Sequence, residues 1–315
     1  VALNTYFGRY LALLQRADSL QALPLRINLM IPAPSALADS LLSVADTSRA
    51  LSSRIRITHI KLFADGALGS RGAALTHPYA DDPGTHGVPR MSVEEIADLS
   101  LRAVDAGLGV AIHAIGDEAV KRALDACETV LAERPDLDPT RLRIEHFSYA
   151  REEDFARAVR LGVVLSIQSN FNSAVTDSPT FGGMRVGEAN DPRVYAWSRL
   201  ERMGAPLAEG SDYFNRPAAP LAGYVAALTL HNAVGDGRPD AEARLLAYRM
   251  QATLFPPSGG AVPGGIYPGG PADLVILSGN PLTVPRDALA AIEVLATISQ
   301  GRVTWVSERL RAQFP

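Results

Sequence analysis

Six apolar, strand-like runs alternate with helical periodicity from the start of the chain to about residue 235. That alternation restricts the chain to repeated βα units built on a parallel sheet. The runs are LRINLMI (25–31), ITHIKLF (57–63), GVAIHAI (109–115), RLRIEHF (141–147), VVLSIQS (163–169) and PLAEGSD (206–212). Several are rich enough in Val, Ile and Leu to be covered on both faces. The helices between them have legible ends. Ser92-Val93-Glu94-Glu95 is a capping box opening a helix that hands over at Gly107, a second runs from Asp117 to Arg134, and a third spans Glu152 to Leu161 and is ended by Gly162. The opening VALNTYFGRYLALLQRADS suits an amphipathic helix and not a signal peptide.

Past residue 255 the texture changes to Gly and Pro in FPPSGGAVPGGIYPGGP, then to the short strands ADLVILS, VLATISQ and GRVTWV, with Gln300-Gly301 as a hairpin turn. Two parts are expected, a barrel-forming unit over 1–254 and a β-rich portion with a tail over 255–315. With 47% hydrophobic and 20% charged residues, the 315-residue chain can bury a large core. A net charge of -4, without a dense Lys/Arg cluster, argues against nucleic acid as a partner, and no apolar run reaches membrane-spanning length. A small-molecule ligand is expected. The single cysteine, Cys127, excludes an internal disulfide and thiolate metal clusters; reducing surroundings suit it, and a cytoplasmic location is expected.

The chemistry-bearing residues gather at strand ends. Lys61, His113, His146 and Asp212 each fall in or just past the last part of a run, and parallel strands in a barrel deliver those positions to one rim, where nitrogen and oxygen ligands can hold a divalent ion. Each also has a plainer reading: buried histidines satisfied by carbonyls, a lysine that snorkels or pairs, an aspartate in a turn. Asp117 either caps the helix it opens or reaches substrate. Asp65, Ser70 and Arg71 lie in a glycine-rich loop after the Lys61 strand, and His86, Gln168 and Asn170 occupy rim positions suited to substrate contact or to solvation alone. By strand alternation Glu145 should point away from the barrel axis and His59 should be core, while His231 should lie on an outer helix surface.

These motifs, IKLFADGALGSRGAAL, HAIGDEAV, RLRIEHF, GSDY and PADLVILSGNPL, resemble the amidohydrolase superfamily in order and spacing, and most closely its branch of YtcJ-like hydrolases that includes N-substituted formamide deformylases. The resemblance covers nearly the whole chain. It implies a (β/α)8 TIM-type barrel with a small β-sandwich and metal, zinc by donor type, at the rim. His113 matches the ligand after strand five, His146 the ligand after strand six, and Asp212 the aspartate after strand eight that touches metal and handles the proton of water. Lys61 matches a strand-four lysine that many relatives carry carboxylated between two metals. The family's His-x-His of strand one is not found here, so the expectation is a barrel lacking its first two strands, with part of the sandwich, in a chain that is a piece of a longer protein. The implied activity is metal-dependent hydrolysis of non-peptide carbon-nitrogen bonds in a small amide-type substrate. The alternatives are a catalytically silent barrel fragment that serves only as a binding or interaction module, and an isomerase or lyase on the same scaffold. Open sheet edges make self-association into a homo-oligomer an expectation as well.

Overall fold

A computed structural model describes residues 2–43, 50–173, 179–188, 191–212, 220–229, 266, 268–270 and 272–311. Helix α1 (Ala2–Ser19) leads into a six-stranded parallel sheet whose strands β1 (Ile27–Pro32), β2 (Ile55–Phe63), β3 (Gly109–Ala114), β4 (Leu142–His146), β5 (Val164–Ile167) and β6 (Leu207–Glu209) each neighbour the next in sequence. That sequential order is the winding expected of βα units. All six runs read from the sequence form strands, with β6 ending before Asp212.

After α2 (Ala36–Leu42), the helices α3 (Val93–Asp105), α4 (Asp117–Glu133) and α5 (Glu152–Leu161) cover one sheet face. There Leu62, Val110, Ile112, Leu142, Ile144 and Leu165 join Ile96, Val120, Leu124, Cys127 and Phe155 in one buried cluster. The capping box of α3 is complete: Ser92 N–H donates to Glu95 Oε2 at 2.8 Å and Glu95 N–H to Ser92 Oγ at 3.2 Å. Gly162 ends α5 in a left-handed conformation at φ 69°. Beyond β5 follow α6 (Pro179–Val186), α7 (Trp197–Arg202) and α8 (Pro220–Thr229).

Strands β7 (Leu274–Leu277), β8 (Val294–Ser299) and β9 (Arg302–Val306) form a separate antiparallel sheet, followed by α9 (Glu308–Arg311). Gln300 at φ 52° and Gly301 at φ 75° make the tight turn between β8 and β9, as their sequence predicts. Tyr224 and Leu228 of α8 pack with Leu289 and Ile292, which precede β8. His231 and the junction at 254/255 lie outside the described residues. Among the described residues no helix is long and apolar enough to cross a membrane.

The sheet's second face carries the polar residues. Register puts Phe63, His113, Glu145 and Ser166 in one row, and Lys61, Ala111 and Arg143 in the row below. Glu145 therefore shares the face of His113, which corrects the expectation that it points away. The error lies in the parity of His146. Alternation sends that residue to the helix-covered side with Leu142 and Ile144, and only a left-handed backbone at φ 79°, followed by Phe147 at φ 46°, returns its ring to the rim.

Candidate metal-binding rim

His113 and His146 stand side by side at the C-terminal ends of β3 and β4, their ring centroids 4.6 Å apart and their planes at 71°. His113 Nε2 lies 3.3 Å from the Gly66 carbonyl oxygen and 3.4 Å from Asp65 Oδ1. A carbonyl only accepts, so Nε2 carries the proton and Nδ1 keeps its lone pair. His146 Nδ1 lies 2.8 Å from Gln168 Oε1, and its ring stacks at 18° on Phe171. The strained turn after β4 is held by Trp197, whose Nε1–H donates to the carbonyls of His146 at 2.9 Å and Phe147 at 3.2 Å. Positive φ at two consecutive non-glycine residues costs on the order of 1–3 kcal/mol each and persists only where such contacts enforce it.

Lys61 extends over the Phe63 ring, its Nζ 5.4 Å from the centroid. Burial, opposed by the charges of Glu145 and Asp212, brings its pKa down to about 8. Burial also lowers His113 to about 2, assisted by the charges of His146 and Lys61. His146 is lowered by burial and by Lys61, while Asp212 works in the opposite direction. Both imidazoles are thus neutral, the protonation state that leaves a nitrogen lone pair for a cation. Burial alone would raise the Glu145 carboxyl, but Arg143 and Lys61 outweigh it and hold it below the ordinary carboxylate range; Arg143 donates to it at 2.6 and 3.3 Å. Asp212, past β6 at φ 49°, is exposed, and its charge reaches both Lys61 and His146.

The loop residues divide differently from their sequence reading. Asp65 is fully buried and accepts backbone N–H bonds from Ile115 at 3.1 Å, Gly116 at 2.8 Å and Ala74 at 2.9 Å, so it ties the glycine-rich loop to the start of α4. Burial raises its pKa to about 7 against the pull of those three donors. Asp117 is the first residue of α4, whose N-cap is Gly116; its carboxylate accepts from the first-turn N–H of Glu118 and from the N–H and hydroxyl of Thr76, so it serves the helix start and ties it to the loop. Ser70 donates to the Ala67 carbonyl, and Arg71 forms a two-pronged pair with Asp81 at 3.2 and 2.9 Å. His86 is exposed. Gln168 and Asn170 are buried and face the chain: Gln168 meets His146, and Asn170 Nδ2 donates to the Ser211 carbonyl at 3.0 Å, anchoring the segment that carries Asp212. His59 is core, as expected, beside Gly109. The sequence names Glu145 but gives it the wrong face, because the register that places it is absent from a single sequence; Phe171 and Trp197 carry no local signal that marks them.

Two neutral imidazoles with an amine and a carboxylate in electrostatic reach suit a divalent cation by donor chemistry. Among the described residues, however, no group of three His, Cys, Asp or Glu side chains closes around one point. The rim as described is a two-nitrogen arm.

A sequentially wound parallel sheet with helices on one face and paired imidazoles at its C-terminal rim defines the class, an α/β protein with a rim site. Within that class, the chain belongs to the amidohydrolase family, whose sequence profile matches residues 7–305. It is 32% identical over 254 residues to the putative amidohydrolase YtcJ of Bacillus subtilis, covering 78% of this chain and 46% of that protein. It is 28% identical over 249 residues to the N-substituted formamide deformylase of Arthrobacter pascens, covering 77% of this chain and 44% of the relative. An uncharacterized metal-dependent hydrolase from Pyrococcus horikoshii superposes with a TM-score of 0.70 at 30% identity, over 88% of this chain and 55% of that one. The chain spans about half the length of these curated relatives.

Proposed function

We propose that this chain forms part of a metal-dependent hydrolase that cleaves a non-peptide carbon-nitrogen bond in a small amide-type substrate. The observation that carries the reading is the contact of two neutral imidazoles at adjacent strand ends. A divalent ion, zinc by its match to nitrogen and oxygen donors, supplies Lewis acidity and lowers the pKa of water from about 15.7 to about 7. His113 Nδ1 and His146 Nε2 are the nitrogens available to hold it. Asp212, exposed at the rim, accepts the proton of the attacking water and passes it to the departing nitrogen, the two-way use of a positioned carboxylate. Lys61, with its pKa near 8, has a neutral amine within reach at physiological pH, which is the form that takes up carbon dioxide as a carbamate and releases a proton. The name of the Arthrobacter relative supports an N-substituted amide as the substrate class.

The test is amine release from N-substituted formamides. Turnover is expected to disappear with a chelator, return with zinc, and be lost in Asp212→Asn. Chelator-resistant turnover, or products isomeric with the substrate, would point to other chemistry. A second reading, a silent binding module, draws support from the absence of a three-ligand group among the described residues. It requires that the protein take up no zinc under equilibrium dialysis, whereas the hydrolase reading requires uptake.

A further inference from the structure

Gln168, a substrate-contact candidate from the sequence, has both ends of its side-chain amide bonded to the protein. Its Nε2 donates to the Ser166 carbonyl at 3.0 Å, and its Oε1 lies 2.8 Å from His146 Nδ1. The first contact removes the ambiguity of the amide, because a carbonyl only accepts and the NH2 group must face it. The oxygen therefore faces His146, and since that oxygen also only accepts, Nδ1 of His146 must carry hydrogen. The lone pair is left on Nε2, across the ring from Gln168. Backbone and ring are fixed independently: Trp197 holds the left-handed turn through the His146 carbonyl, and Phe171 lies parallel to the imidazole.

We infer that Gln168 is a positioning residue, which acts through His146 by selecting the Nδ1–H tautomer and so presenting Nε2 as the donor nitrogen of the rim. Ser166, in the same row as His113 and Glu145, anchors it through the backbone. The tautomer assignment stands on the hydrogen bonds alone; its use in holding a cation rests on the hydrolase reading.

Nitrogen-15 NMR of histidine-labelled protein at neutral pH reads the tautomer directly. Native protein is expected to show a pyrrole-type Nδ1 and a pyridine-type Nε2 at His146. Gln168→Leu and the near-isosteric Gln168→Met, which both remove the amide oxygen, should shift the population toward Nε2–H. Zinc affinity should fall about 10–100-fold in both variants, the usual effect of losing an outer partner of a ligating histidine. An Nε2–H tautomer in the native protein overturns the inference without any variant, as does a native pattern in folded Gln168→Leu. If the tautomer shifts as expected but zinc binds none of the three proteins, the positioning role stands and the metal reading falls.

Discussion

The most consequential side chains are three histidines kept neutral in the fold, His59, His113 and His146, each with burial as the chief cause. Their folded pKa values lie below the unfolded value of about 6.5, so their neutral burial stabilises the chain fully above that pH and progressively less as the pH falls through it. Each can remove up to about 1.4 kcal/mol per pH unit. The urea midpoint of metal-free protein should therefore drop between about pH 6.5 and 5; a flat midpoint across that window would mean the folded imidazoles accept protons freely. The Arg143–Glu145 pair makes a second residue-scale prediction. Glu145→Ala leaves a buried guanidinium without its carboxylate and should cost about 3–5 kcal/mol, whereas Arg143→Met with Glu145→Leu should cost much less. Chemical denaturation of the two variants decides whether Glu145 matters as a charge partner or only as volume. Neither Glu145 nor Gln168 was readable from sequence in its actual role, because both depend on which strand row a residue occupies and on a positive φ at His146 that no residue preference announces.

At the scale of elements, the join between the loop after β2 and the start of α4 is the part of the rim most intolerant of change. Asp65 satisfies three backbone donors there, so Asp65→Ala should cost on the order of 3 kcal/mol. A Cβ at Gly116 would come within 2.0 Å of the Ala74 carbonyl oxygen, a backbone atom that cannot rotate away. Gly116→Ala should cost about 1–3 kcal/mol or more by overpacking. Because both changes act on one joint, the double variant should be less destabilised than the sum of the two; strict additivity in thermal melts would show that they act separately. The helices and strands themselves were readable. The Ser92 capping box, the glycine after α5 and the Gln300-Gly301 turn each carry their signal within a few residues. Asp65 and Asp117 were not, since their partners at 74, 76, 115 and 116 are brought to them by the tertiary fold.

Across the whole molecule, the βα alternation was sufficient to foresee a parallel sheet, and the short strands with the Gln300-Gly301 turn foresaw further β structure after it; the sequential order of the first sheet and the three-stranded antiparallel pairing of the second come from the structure. The two differ in how much apolar cover they receive. Strands β2 to β4 lie in a single large cluster with α3, α4 and α5, whereas Val275, Val303 and Trp305 of the smaller sheet remain exposed. Amide hydrogen exchange should accordingly be slowest in β2–β4 and markedly faster in β7–β9; equal protection would show that the small sheet unfolds only with the rest. The chain has only two tryptophans, and they divide between these regions: Trp305 is 49% exposed, and Trp197 is 1% exposed with its indole N–H shared between the carbonyls of His146 and Phe147. Once Trp305→Phe has removed the solvent-facing fluorophore, the remaining emission comes from an indole bonded to the backbone of a rim histidine. The molecule therefore contains its own optical gauge of that turn, readable without any attached dye.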